Sequence, residues 1–317
     1  MVRQKDGKYE IDWEKLRKIT WDGVHFLDNV IDVNRYPLPE IEKITKGNRK
    51  IGLGMMGWAD LLVRLEIPYN SKEAFSLAEK IMKFIREESY QASAKIAERR
   101  GVFPNYRHSI YPQKGILLRN ATTTTIAPTG TISIIAGCSF GIEPYYALCF
   151  VRKHILGGEK MVEVNPLFEE IAKKEGFYSE NLMRKIAQKG SVKDMEEVPP
   201  KWRKIFVTAL DMSYEDHIKM QVAFQRHVDN SVSKTINFPF SATEEDVKNA
   251  YLMAYKLGCK GITIYRSESR KQQVLNIQGA KQEKLPGVSE AEVPPGMKNP
   301  SPELPDIPPG SCPTCNV

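Results

Sequence analysis

Apolar residues recur at roughly helical spacing over residues 10–34, where Leu16, Ile19, Leu27, Val30 and Ile31 form a stripe beginning near Asp12. Gly23 falls on the same stripe, and Pro37 and Pro39 then break the chain. Gly52-Leu-Gly-Met-Met-Gly57 opens a second helix through Leu62. A longer helix, from about residue 71 to 99, buries Leu77, Ile81, Ile85, Ala92 and Ile96 and ends at Gly101. Residues 115–150 turn β-branched and read as strand-rich, while 160–200 read as short helices with charged linkers. Ser213, with Asp216 three residues on, fits a loose capping box for a helix to about Val228. The clearest unit comes last. A strand at 231–237 precedes a helix capped by Thr243, and a strand at 261–265 follows. The helix carries Val247, Ala250, Tyr251 and Ala254 on one face and stops at Gly258. Such a unit predicts parallel strands with a right-handed crossover. The fold class is α/β.

After about Lys271 the periodicity ends. Nine of the 20 prolines fall between Pro286 and Pro313, too polar a stretch to offset the entropy of ordering it. The chain therefore divides into a folded body, 1–270, and a disordered Pro-rich tail, 271–317. No internal repeat is visible.

A chain of 317 residues, 41% of them hydrophobic, buries a substantial core. No apolar run approaches the about 18 residues that a spanning helix needs, and the first residues carry no apolar secretion segment. Five cysteines with one close pair fit a reducing cytoplasm rather than a disulfide framework. The net charge of +7 is scattered among 39 acidic residues instead of striped with aromatics, which argues against a polynucleotide partner. A basic surface does suit nucleotide phosphates.

The segment Asn120-Ala-Thr-Thr-Thr-Thr-Ile-Ala-Pro-Thr-Gly-Thr-Ile-Ser133 concentrates the candidate chemistry. A β-branched run, 122–126, meets an abrupt Pro128-Thr129-Gly130-Thr131 turn, and a second apolar run, 131–135, follows. Backbone amides and hydroxyls aimed one way would form an anion cradle. A Thr-rich hairpin with a Pro-Gly turn is the competing reading. Gly52, Gly54 and Gly57 spell G-x-G-x-x-G, but Lys46-Gly-Asn-Arg-Lys50 precedes them where a dinucleotide site needs a buried strand. His25, His108, His154, His217 and His227 show no metal-binding spacing; His217 and His227 lie about 15 Å apart along one helix, so no metal is assigned. Cys138, Cys149 and Cys259 sit in apolar surroundings and read as buried and inert. Cys312-Pro-Thr-Cys315 is either a dithiol that delivers electrons by disulfide exchange or half a zinc knuckle.

The loop and its continuation, Ser133-Ile-Ile-Ala-Gly-Cys-Ser-Phe-Gly-Ile-Glu143-Pro144, resemble the substrate-phosphate loop of ribonucleotide reductases, the adenosylcobalamin-dependent class II enzymes in particular. Leu27-Asp-Asn-Val-Ile-Asp32 and Arg49-Lys-Ile-Gly-Leu-Gly-Met-Met-Gly-Trp-Ala-Asp60 resemble further segments of the large subunits. Asp229-Asn-Ser-Val-Ser-Lys-Thr-Ile-Asn237 and Gly258-Cys-Lys-Gly-Ile-Thr-Ile-Tyr-Arg266 resemble the strands around the last crossover helix. The family's Tyr-Arg-Asp-Gly-Ser-Arg reads Tyr265-Arg-Ser-Glu-Ser-Arg270 here.

The resemblance implies the second half of a ten-stranded α/β barrel, with about five strands in one sheet and apolar surface left exposed where the first half would pair. It implies a ribonucleoside-diphosphate reductase that replaces the ribose 2′-hydroxyl by hydrogen with adenosylcobalamin as cofactor. Pro128, Thr129, Gly130, Thr131, Ile132 and Ser133 would hold the substrate phosphates, Asn120 and Ala121 would border them, and Glu143 would orient the loop. Cys312 and Cys315 would form the redox tail served by a thioredoxin-like reductant. The family's finger loop, which carries the radical cysteine and a glutamate, has no counterpart in the sequence, so no catalytic residue is assigned and the isolated chain is expected to be inactive. An N-terminal half, on a separate chain if the enzyme is split, would complete it; a homodimer is left open. The alternative is a non-catalytic nucleotide-binding or assembly subunit that docks on an N-terminal partner.

Overall fold

The computed structural model describes residues 2–155, 159–267 and 269, with backbone alone for 150–162. An antiparallel hairpin that periodicity did not announce, β1 (Val2–Lys5) and β2 (Lys8–Ile11), opens the chain. The Asp12 carboxylate then accepts from the Lys15 amide at 3.0 Å and starts α1 (Trp13–Val33). The buried face of α1 is Leu16, Thr20, Val24, Asp28 and Ile31, whereas Ile19 and Val30, expected inside, face outward. The stripe is rotated because two of its members are polar. Thr20 bonds the Leu16 carbonyl and Asp28 is met by arginines, which makes their burial tolerable.

Pro39 does not break the chain. It occupies the first turn of a helix, α2 (Pro39–Asn48), where a missing N–H costs nothing. The glycine-rich segment is likewise not a helix start over its length: 52–56 run without helix, and α3 (Trp58–Arg64) begins only after Gly57. The long helix is as expected to within a residue, α4 (Lys72–Arg100), with Ser71 capping the Ala74 amide.

At the centre, three segments run parallel. Leu53 bridges Thr124, and Ile126 bridges Val232. Backbone bonds join them: Leu53 N to Thr123 O (2.8 Å), Thr125 N to Leu53 O (3.0 Å) and Ser233 N to Ile126 O (2.9 Å). The run 122–126 thus becomes isolated bridges rather than a regular strand. Side chains replace part of the ladder. The Asp229 carboxylate takes the amides of Thr123 and Thr124, and the Asn230 amide donates to the carbonyls of Ile51 and Thr124.

The largest difference falls at 131–135, which forms a helix, α5 (Gly130–Ala136), instead of a strand. Thr129 and Gly137 are both left-handed and bound it on either side, and the Cys138 amide reaches back to the Ser133 carbonyl to close its C-terminus. Local closure at both ends overrides the β-branched composition. Further on, an unexpected hairpin, β3 (Cys149–Ile155) with β4 (Glu159–Val164), precedes the short helices α6 (Pro166–Lys174), α7 (Glu180–Lys189) and α8 (Pro200–Ile205). Next, α9 (Tyr214–Gln225) is capped by Ser213 and stops three residues short of the expected end.

The strand–helix–strand unit is present as β5 (Thr235–Phe238), α10 (Glu244–Lys256) and β6 (Thr263–Arg266), and its strands pair in parallel. Thr243 and Asp246 form a full capping box. Instead of one sheet, the described residues hold three two-stranded sheets and the isolated bridges.

One core joins Trp58, Leu62, Ile81, Ile85 and Phe224, a second packs Leu148, Phe168, Ile186 and Phe206, and a third sets Ile218 and Ala250 against Ile236 and Phe238. Apolar side chains are exposed on two helices. Phe26, Val30 and Val33 share one face of α1, and Ile41 and Ile44 one face of α2. Among the described residues no helix is long and apolar enough to cross a membrane. They all belong to the compact unit Met1–Gly279; the remainder, with Cys312 and Cys315, lies outside them.

Candidate functional site

The expected anion loop is exposed and pre-shaped. Pro128, Gly130, Thr131 and Ile132 lie at the surface, and Thr129 is half-buried with φ of +56°. The first helical hydrogen bond of α5 runs from the Ser133 amide to the Thr129 carbonyl at 3.0 Å. The amides of Gly130, Thr131 and Ile132 therefore have no partner within the helix. Segment 120–142 itself contains no Asp or Glu. Ser133 is buried and bonds the Gly130 carbonyl, so its hydroxyl supports the turn rather than extending the cradle.

A ring of contacts holds the loop. The Gly141 amide donates to Thr129 Oγ1 at 2.7 Å, leaving the threonine's own hydrogen free to donate outward. The Asp60 carboxylate accepts from the Ser139 amide at 2.6 Å and from the Tyr145 hydroxyl. Burial and the Asp60 charge push that tyrosine's pKa up, so it stays a donor. Trp58 N reaches Gly141 O at 3.3 Å and Tyr69 Oη reaches Ile142 O at 2.6 Å. The glycine-rich motif thus meets the loop through the Gly57 amide, which donates to the Ser139 carbonyl at 2.8 Å, and through Asp60 at the end of the matched segment.

Glu143 anchors the far end. Its Oε1 accepts from the Thr235 amide at 2.6 Å and its Oε2 from Lys234 Nζ at 2.6 Å. Lys234 is fully buried and also bonds His217 Nδ1 at 2.9 Å and the Thr235 carbonyl. Burial pulls the lysine below its usual range, and Glu143 draws it back up. His217 Nε2 lies 2.9 Å from the Ala209 carbonyl, which can only accept, so Nε2 carries the proton and Nδ1 offers a lone pair to Lys234. Burial, and then the Lys234 charge, push the His217 pKa down to about 3. Sequence reading assigned Lys234 no role and His217 none beyond a histidine without metal-binding spacing; the one available signal was Lys234 inside the matched strand motif.

Other expected site residues lie apart from the loop's open face. Asn120 is fully buried, donating to Asp28 Oδ1 (3.0 Å) and the Arg49 carbonyl (3.1 Å) and accepting from Ser93 (2.9 Å). Ala121 uses its amide on Asn48 and its carbonyl on Tyr111. Cys149 is buried, and desolvation pushes its thiol up to about 12; Cys138 and Cys259 are only half-buried, not the fully buried thiols expected. Among the described residues no three His, Cys, Asp or Glu side chains converge on a metal site.

The comparisons agree with one another. A family model described as the barrel domain of ribonucleotide reductase matches residues 1–265. A vitamin B12-dependent ribonucleoside-diphosphate reductase of Thermoplasma acidophilum is 53% identical over 279 residues, covering 88% of this chain and 36% of that protein. The enzyme of the same name from Mycobacterium tuberculosis H37Rv is 45% identical over 276 residues, 87% of this chain and 38% of its own length. Among solved structures, the class Id ribonucleotide reductase alpha subunit of Actinobacillus ureae matches with a TM-score of 0.67 at 24% identity, covering 81% of this chain and 47% of that one, a likeness of fold. The chain spans little more than a third of the curated relatives it matches, 36% and 38% of them.

Proposed function

Since this chain belongs to the ribonucleotide reductase barrel-domain family, we propose that it is the substrate-phosphate portion of a ribonucleoside-diphosphate reductase. The observation that carries the reading is the exposed turn at 128–132, with three amides that have no partner in the helix, two threonine hydroxyls and no acidic residue in its own segment, 120–142. Hydrogen bonds to a charged phosphate contribute roughly 1.5–3 kcal/mol each. Pro128 fixes the entry, Gly130, Thr131 and Ile132 present amides, and Thr129 and Thr131 add hydroxyls.

In the same reading the body, 1–270, is the second half of a ten-stranded α/β barrel. The tail, 271–317, carries the dithiol Cys312 and Cys315 to a thioredoxin-like reductant. The apolar faces around Phe26, Val33 and Ile44 support docking on an N-terminal portion that carries the catalytic cysteine. The relatives' names carry vitamin B12, and adenosylcobalamin is assigned to the complete enzyme, where it supplies the radical. His217, the buried histidine beside the loop exit, has both ring nitrogens engaged and offers the cofactor no ligand. In this reading the loop residues bind and orient the diphosphate.

One experiment separates this from a non-catalytic binding subunit. The chain is mixed with a polypeptide carrying the finger loop, adenosylcobalamin and a dithiol, and deoxynucleotide formation is measured. Turnover only in the mixture is expected. Nucleotide binding without turnover in any mixture would replace the reductase by the binding subunit.

A further inference from the structure

We propose that Lys234 is a positioning residue for the phosphate loop, aligned by His217 and acting through Glu143, so that both ends of segment 127–142 are held on one stretch of backbone, 231–235. At the first end the Ile126 amide donates to the Ser231 carbonyl at 3.2 Å, and the Ser233 amide returns to Ile126 at 2.9 Å. At the second end the Thr235 amide and the Lys234 ammonium grip the two Glu143 oxygens, each at 2.6 Å. Five consecutive residues thus fix the entry and exit of the loop. Between these anchors the Gly141 amide holds Thr129 Oγ1, which sets the residue immediately before the open amides.

The buried position of Lys234 decides how it acts. With its side chain wholly covered and three partners for its three hydrogens, it touches no substrate. An apolar residue of like volume would fill the same space at lower desolvation cost. Such a residue would leave one Glu143 oxygen unheld, and the loop exit would pivot on the Thr235 amide alone. His217 supplies direction. With its Nε2 proton committed to Ala209, it presents only a lone pair to Lys234, so the ammonium has one arrangement that satisfies all its donors.

This rests on the phosphate-loop reading, and the test separates the two. Amide spectra of the full 317-residue chain are recorded without ligand, and CDP is then titrated, for wild type, Lys234→Met, Glu143→Gln and His217→Phe. In Lys234→Met the amides of Gly130, Thr131, Ile132 and Gly141 are expected to shift or broaden while those of Leu182 and Ile186 stay in place, and CDP affinity falls about tenfold. The milder Glu143→Gln moves the same loop amides less far, and it decides the matter if Lys234→Met does not fold. His217→Phe, which keeps a planar ring but has no lone pair, gives the Lys234→Met pattern. Loop amides that stay in place in the folded variants overturn the proposal, as does unchanged CDP affinity despite shifted amides. A lowered melting temperature in His217→Phe with an unmoved loop removes His217 from it. If wild type binds no CDP while the variants still move the loop amides, the clamp stands and the phosphate reading falls.

Discussion

The Gly141 amide donates to Thr129 Oγ1 at 2.7 Å, twelve residues back along the chain, and thereby fixes a left-handed threonine at the head of the anion loop. Gly141 is buried, so loss of the acceptor leaves an orphan donor. Thr129→Val keeps the shape and removes the acceptor; it is expected to cost about 1–3 kcal/mol in urea unfolding and to weaken CDP binding. Thr129→Ser retains the oxygen and should stay within about 0.5 kcal/mol of wild type. Equal stabilities for the two variants would show that the hydrogen bond does not hold the loop.

Binding itself is tested two residues on from that anchor. Thr131 is exposed, and its hydroxyl has no hydrogen bond among the described residues, so its removal perturbs the free protein little. Thr131→Val is expected to lower CDP affinity by roughly ten- to a hundredfold, the equivalent of one charge-assisted hydrogen bond, with an unchanged melting temperature. Calorimetric titration giving the wild-type affinity would remove the Thr131 hydroxyl from the site.

How much of this was legible beforehand varies with the kind of signal. Ser213 and Thr243, read as caps, and Asp12 and Ser71, read only as helix starts, all accept the amide bond their residue type suggests, because capping is local chemistry. The parallel pairing of β5 and β6 followed from the same punctuation. The helix at 130–136 was not readable, since Ile132, Ile134 and Ile135 are exposed and no buried face imposes a period. The site divides similarly. The loop was legible as a motif and Glu143 as an orienting carboxylate, whereas Lys234 lies 91 residues after Glu143 and 17 residues after His217, contacts that only the fold creates.

Close backbone approach makes a sharper prediction at Gly54. A Cβ added there would stand 2.2 Å from the Thr125 carbonyl oxygen, a backbone atom within the central ladder, and 3.5 Å from Ile126 Cα. Gly54→Ala is expected to cost at least about 3 kcal/mol, at the upper end of overpacking penalties. Gly261→Ala, where nothing lies within 4 Å, is the comparison and should change stability by about 1 kcal/mol or less. Similar urea midpoints for the two would contradict the ladder geometry.

A buried acid sets the third comparison. Asp28 is wholly covered and faces Arg49, Arg100 and Arg119 as well as the Asn120 amide, whereas Asp32, also on Arg49, is 46% exposed. Asp28→Asn leaves Arg49 without its buried counter-charge and is expected to cost about 3–5 kcal/mol. Asp32→Asn should cost about 1 kcal/mol or less, because solvent screens that pair. Guanidinium unfolding of both variants would check the order, and a larger loss at Asp32 would reverse the assignment.

The last prediction concerns acid. Folding lowers the His217 pKa from its ordinary 6.5 to about 3, through burial first and the facing Lys234 ammonium second, with only the Ala209 carbonyl on the other nitrogen to favour the cation. Beyond Lys234 stands the Glu143 carboxylate, too far round the ammonium to bond the ring directly. Between pH 6.5 and 3 the unfolded chain binds a proton here that the folded chain does not. Stability therefore falls as pH falls through that window, at up to about 1.4 kcal/mol per pH unit. From pH 7 to 5, above the range where most carboxylates titrate, this one group should remove about 2 kcal/mol. His227, also lowered by burial, adds a loss of the same sign, so the comparison is with His217→Phe, which should lose that much less over the interval. Urea unfolding of both proteins at pH 7 and pH 5 measures the difference; parallel losses would mean that His217 is not held neutral in the fold.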